Sequence, residues 1–163
     1  MKIMKTLKYL FAVTVLFVFT GLSCGAQTTE KPKNANYDAQ LAGKLGADKI
    51  GMKNYVLAVL KTGPNDGTVK GKERDEIFKG HFANINRLAK EGKLVVAGPF
   101  DGIDGWRGLY IFNVESIEDA KKLTETDPTI KSGVLIGEYH KWYGSAAMMD
   151  VTRIHGTLTE NVP

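Results

Sequence analysis

An α+β domain, with two helices on one face of a four-stranded antiparallel sheet, is what the sequence predicts. Three observations lead there. Apolar runs at residues 55–60, 94–97, 109–114 and 134–142 have the length of strands and are rich in β-branched and aromatic residues. Helical patterns over residues 73–91 and 116–126 separate the first run from the second and the third from the fourth. Gly-Pro, Asp-Gly and Asp-Pro pairs punctuate these segments. The resulting order is βαββαβ.

The whole chain has 163 residues, 43% apolar and 25% charged. That composition excludes a multidomain enzyme, a disordered chain and a polytopic membrane protein. The formal charge of +4 suggests an acidic partner until the charges are located. Lys2, Lys5 and Lys8 stand in the first 23 residues without any acid, and residues 53–144 hold 14 bases against 13 acids. Such a balance gives no nucleic-acid face.

Those three lysines precede an apolar run over residues 9–19 and then Gly21, Leu22 and Ser23. A basic start, a short apolar stretch and a small-residue exit predict an export signal over residues 1–23. The run is shorter than the roughly 20 residues that a spanning helix needs. Two processing routes fit. Cys24 follows small residues as in a bacterial lipoprotein, although Gly21 stands where a leucine is usual, and Cys24-Gly25-Ala26 also satisfies ordinary cleavage after Ala26. Cys24 is the single cysteine, so no internal disulfide can form. The expectation is a cell-envelope protein, held to the membrane through a lipid on Cys24 or released as a periplasmic form.

Residues 24–52 read as a polar tether followed by a marginal helix interrupted by Gly43 and Gly46. The domain proper spans residues 53–144. The apolar strand at 55–60 leads through Gly63-Pro64 and Asp66-Gly67 into the first helix, which Gly92 ends. The second strand stops at Gly98-Pro99, and a Gly-rich loop at 101–105 turns into the third. Ser116 with Asp119 caps the second helix, and Asp127-Pro128 closes it because a residue before proline avoids the α region. Residues 145–163 form a polar tail. This connectivity is ferredoxin-like. Both alternating sets of the first strand are apolar, so the face opposite the helices also needs cover. A second copy packed sheet to sheet, a homodimeric α/β barrel, is the expected cover, with a folded-back tail as the alternative.

Two polar residues fall where apolar ones belong. On a helical wheel Ile77, Phe78, Phe82, Ile85, Leu88 and Ala89 share one side of the first helix, and His81 lies among them. Asp127 continues the buried side of the second helix at its C-terminal end, where the dipole and burial both raise a carboxyl pKa unless donors compensate. Both helices lie on the same face of the sheet, so the two can meet as an imidazole base oriented by a carboxylate. The competing readings are a core histidine bonded to a carbonyl and a turn aspartate. Weaker candidates for substrate binding are Asp101, Trp106, Arg107 and His140. Asp101 is more simply a turn former, Trp106-Arg107 an exposed loop pair able to clamp an anion, and His140 with Glu138 and Trp142 an interface. A metal set of His81, Glu138 and His140 has no supporting spacing, and no phosphate loop, dinucleotide fingerprint or nucleophile elbow is present. Neither metal nor cofactor is expected.

Several segments together resemble the YciI-like (YCII-related) family: the strand at 55–60, residues 81–88 (HFANINRL), residues 91–100 (EGKLVVAGPF), residues 115–120, Thr126-Asp127-Pro128, and the strand over 133–143. The resemblance covers about 90 residues and omits leader, tether and tail. It implies a ferredoxin-like fold dimerising into an α/β barrel, with a His–Asp site at His81 and Asp127. The functional expectation is acid–base chemistry, proton abstraction or elimination, on a small organic substrate. A non-catalytic ligand-binding or assembly module of the envelope is the alternative. A haem-degrading barrel monooxygenase shares the fold and the residue types of His81, Asn84 and Trp106, without a supporting spacing.

Overall fold

The computed structural model describes residues 34–160; the leader and Cys24 lie outside them. The chain divides between Tyr37 and Asp38, and the fold below is that of the second unit. Its elements are α1 (Ala39–Leu45), β1 (Met52–Thr62), α2 (Gly71–Lys90), β2 (Leu94–Pro99), β3 (Trp106–Phe112), α3 (Ile117–Thr124), α4 (Pro128–Lys131), β4 (Leu135–Ser145) and α5 (Val151–His155). The sheet is antiparallel in the order β2-β3-β1-β4, the ferredoxin-like arrangement.

Strand alternation divides the sheet into two faces. Val56, Ala58 and Leu60 of β1, Tyr110 and Phe112 of β3, and Leu135 of β4 point toward the helices, where Leu88 and Ala120 complete the core. Burying a leucine such as Leu88 contributes about 2–3 kcal/mol. α2 carries Glu73 in its first turn and Arg87 and Lys90 in its last, matching the dipole at both ends. It stops in a Schellman turn at Gly92 (φ 67°), whose N–H donates to Ala89 while that of Lys93 donates to Leu88. Phe82, expected on the buried side, is 60% exposed.

α3 begins as expected, with Ser116 Oγ accepting from the Asp119 N–H at 3.1 Å and donating to the Asp119 carboxylate at 2.7 Å. Its end differs from the expected one. Asp127 does not trail from α3; it is the N-cap of α4, accepting the Thr129 N–H, with Pro128 in the first helical position. Proline is preorganised for that place and has no N–H to waste there. The residue pair that stops one helix therefore starts another.

The opposite face is built on Tyr55, Val95 and Ile111, flanked by Leu109 and Trp142. Part of its cover comes from the chain itself. After β4 the backbone enters a 3₁₀ turn (Ala146–Asp150) and then α5, bringing Met148 and Met149 onto this face. The Ala146 N–H donates to the Gly51 carbonyl at 2.9 Å, and Tyr55 Oη donates to the Ser145 carbonyl at 3.1 Å. The tail is folded at least to His155 and covers part of this face, for which a second copy was the expected cover and a folded-back tail the alternative. Farther along the same face, Ile136 and Trp106 stay exposed. Among the described residues no helix is long and apolar enough to cross a membrane.

Candidate active site

α2 and α4 pack closely enough that only glycine fits at their crossing. A Cβ on Gly80 would stand 2.8 Å from Cγ of Pro128. This contact brings the residue after Gly80 against the residue before Pro128. His81 Nδ1 lies 2.8 Å from Asp127 Oδ2, with the Asp127 side chain fully buried and that of His81 nearly so.

The carboxylate is saturated with donors. Its Oδ1 accepts from the Thr129 N–H (2.9 Å) and from Thr129 Oγ1 (2.7 Å). Its Oδ2 accepts from Tyr110 Oη (3.2 Å) as well as from His81. Burial is the largest influence on Asp127 and pushes its pKa up, but the His81 and Thr129 hydrogen bonds and the imidazole charge together hold it below the ordinary value. These donors are the compensation that the sequence reading required, and Asp127 starts a helix instead of ending one. Tyr110 is driven well above the usual phenol range, first by burial and then by the Asp127 charge, so it stays a neutral donor.

An ionised carboxylate only accepts, so this network places a proton on Nδ1 of His81 and makes Nε2 the nitrogen that, in the neutral imidazole, carries the lone pair. Among the described residues Nε2 has no hydrogen-bond partner. The imidazole is held in place by rings: Phe78 and Phe82 approach edge-on at 5.7 and 5.4 Å, and Tyr110 stacks at 6.2 Å. His81, Phe78, Phe82, Phe100, Arg107 and Tyr110 line a cavity of about 420 Å³, floored by Leu60, Gly98 and Gly108. Sites for small organic ligands fall in the range of roughly 300–1,000 Å³. A fixed base beside an apolar cavity can take a proton from a bound molecule, and the buried carboxylate stabilises the imidazolium that forms.

The other candidates separate. Arg107 lines the cavity. Asp101 does not; it is exposed and its carboxylate accepts from the Ile103 N–H at 3.1 Å, the turn-forming role. Trp106 is packed on Phe100 at 5.4 Å and pairs with Lys61 on the face away from the helices. His140, opposite Leu57 on that same face, is exposed and bonds Glu138 at 2.8 Å. The sheet thus divides His140 and Glu138 from His81, which removes the three-residue metal set. It also divides Trp106 from His81, and Asn84 Oδ1 is occupied by Arg87 and Thr126 at 2.8 Å each, so the residues that suggested haem do not converge. Two members of the dyad's network were missed in the sequence, Thr129 and Tyr110. Asp127-Pro128-Thr129 has the composition of a capped helix start, and Tyr110 alternates with Phe112 toward the helices; both signals could have been read.

Residues 55–142, more than half of the chain, match the YCII-related domain. The uncharacterized protein YjpA of Bacillus subtilis (strain 168) is 34% identical over 82 residues, which are 50% of this chain and 85% of YjpA. A solved structure of 5-chloro-2-hydroxyhydroquinone dehydrochlorinase from Burkholderia phenoliruptrix AC1100, in complex with 2,5-dihydroxybenzoquinone, is similar at 19% identity with a TM-score of 0.39. That likeness covers 55% of this chain and 93% of the other. With a domain match of this extent and a relative aligned over most of its own length, this chain belongs to the YCII-related domain family.

Proposed function

We propose that this protein is a general-base enzyme in which His81 removes a proton from a small organic molecule held in the cavity. The observation that carries the proposal is the 2.8 Å contact between His81 Nδ1 and a buried, donor-saturated Asp127 carboxylate. In the reaction Nε2 takes the proton, and the electron pair of the broken C–H bond forms an enolate or a new double bond. In an elimination the leaving group departs from the neighbouring carbon with its own electron pair. Asp127 balances the imidazolium without itself being protonated. A positioned base of this kind contributes roughly 10²–10⁴-fold to the rate.

The test is solvent-deuterium incorporation, or leaving-group release, across a panel of enolisable carbonyl and hydroxyaromatic compounds followed by proton NMR. The expected result is exchange by the wild-type protein, reduced at least 100-fold in a folded His81→Ala variant. Equal rates in both proteins would overturn the proposal. A compound bound in the cavity without exchange or release would favour the ligand-binding module instead.

We further infer that the chain is exported and lipidated on Cys24, supported by Lys2, Lys5 and Lys8 before the apolar run at 9–19 and by the small residues before the cysteine. A mass spectrum of the mature N-terminus separates this from cleavage after Ala26, which leaves Gln27 first.

A further inference from the structure

The cavity contains one permanently charged group, Arg107, and it arrives there through an irregularity of the sheet. Between β1 and β3 the register passes from Leu60 opposite Gly108 to Lys61 opposite Trp106, so Arg107 is the extra residue of a β-bulge. Strict alternation would send Arg107 to the face of Leu109 and Ile111. Bulges re-aim side chains, often beside active sites. This one turns Arg107 to the helix side, where it lines the cavity together with Gly108 and Tyr110.

Arg107 is also poorly occupied there. Its carboxylate neighbour among the described residues is Asp66, and Nη1 lies 3.7 Å from Asp66 Oδ2, beyond hydrogen-bond distance. Asp66 is already held by Arg74, which donates to its Oδ1 at 2.7 Å and to its backbone carbonyl at 3.3 Å. Two arginines thus share one carboxylate, and the wall of the cavity has one positive charge in excess. The rest of the lining is aromatic or aliphatic apart from His81 and the Tyr110 hydroxyl.

We propose that Arg107 is the specificity-determining residue of this cavity and that the substrate is a small planar organic anion whose carboxylate it binds. The planar fork of a guanidinium matches a carboxylate through two parallel hydrogen bonds, and the ring-lined walls suit a flat, unsaturated or aromatic body. Asp66 acts through Arg107 as a positioning residue, close enough to aim the guanidinium and too far away to saturate it. This proposal rests on the reading of the cavity as a substrate site with His81 as its base.

The experiment compares benzoate with benzamide, which have nearly the same shape and differ in charge. Binding is followed by amide chemical shifts of wild-type protein and of Arg107→Met and Arg107→Lys. The expected result is that benzoate shifts Ala97, Gly98 and Gly108 and binds at least tenfold more tightly than benzamide. Arg107→Met should abolish that preference, and Arg107→Lys should restore part of it. Equal affinity for the two compounds in wild-type protein, a preference that survives Arg107→Met, or no benzoate binding at the cavity overturns the proposal. If instead the charge preference follows Arg107 while no bound acid ever exchanges a proton, the base reading fails and the Arg107 assignment stands.

Discussion

Replacing Asp127 by Asn removes one charge and reverses two hydrogen-bond directions, and both consequences follow from the geometry. Thr129 presents its N–H and its hydroxyl to Oδ1 at 2.9 and 2.7 Å, which pins the amide oxygen of the variant on that side. The amide nitrogen must then face Tyr110 Oη and His81 Nδ1, where the wild-type Oδ2 accepts. Tyr110 can turn its hydroxyl to accept. His81 must present a bare Nδ1, so its proton moves to Nε2 and the lone pair leaves the cavity side. The four charge-assisted hydrogen bonds to the carboxylate become neutral ones, and removal of a buried charge offsets part of the loss, leaving a destabilisation of about 2–3 kcal/mol. Any base-dependent exchange should fall roughly 10²–10⁴-fold, the full worth of a positioned base. Long-range proton–nitrogen NMR of the imidazoles reads the tautomer without any substrate, with the exposed His140 and His155 as internal references. The expected spectrum has His81 protonated at Nδ1 in the wild type and at Nε2 in Asp127→Asn. A wild-type His81 carrying its proton on Nε2, or a tautomer unchanged in the variant, would refute the reasoning.

Three further outcomes are expected. Gly80→Ala should gain about 1 kcal/mol of helix propensity yet unfold more easily than wild type in urea, because the 2.8 Å approach to the Pro128 ring costs about 1–3 kcal/mol of overpacking; a variant more stable than wild type would show that α2 and α4 separate freely. The pKa of Asp127 is lowered in the folded protein, so its stabilisation is complete above the ordinary carboxyl value near 4 and is lost as pH falls through the lowered native value. Asp119, lowered chiefly by its Ser116 bond, and Glu138, lowered chiefly by Lys61, act in the same direction; urea unfolding across pH 2–7 should show a plateau above about pH 5 that drops below 4, with a smaller drop in Asp127→Asn. Met148→Glu with Met149→Glu should uncover Tyr55, Val95 and Trp142 and raise self-association in sedimentation velocity, whereas an unchanged mass and melting temperature would mean that these methionines cover nothing that matters.

The sheet and the two expected helices were legible because 55–60 is an unbroken apolar run of strand length and the side shared by Ile77, His81, Ile85 and Leu88 repeats near 3.6. His81 stood out for the same reason, as the polar member of an apolar stripe. α4 escaped because four residues make too short a pattern, and proline was taken only as a terminator. The cavity escaped for another reason. Its wall depends on the bulge at Arg107, which no period announces, and on Phe82, an apolar residue exposed because it borders empty space rather than core. The folded-back tail stood only as the alternative cover because 146–155 mixes apolar and polar residues without a clear stripe, and its methionines gain partners only once strands distant in sequence have paired.

Strand β1 joins two ends of the molecule with different duties. The chain enters it at Met52, opposite Ser145, where the residues after β4 also leave the sheet. The cavity lies at the Leu60 end, about 27 Å away at roughly 3.4 Å per residue. Any load borne by the N-terminal extension therefore arrives at the foot of the sheet, beside the contact between Ala146 and Gly51. Substitutions at Gly51, Met52 or Ser145 therefore disturb the foot of the sheet, while those beside Leu60 and Gly108 bear on the cavity.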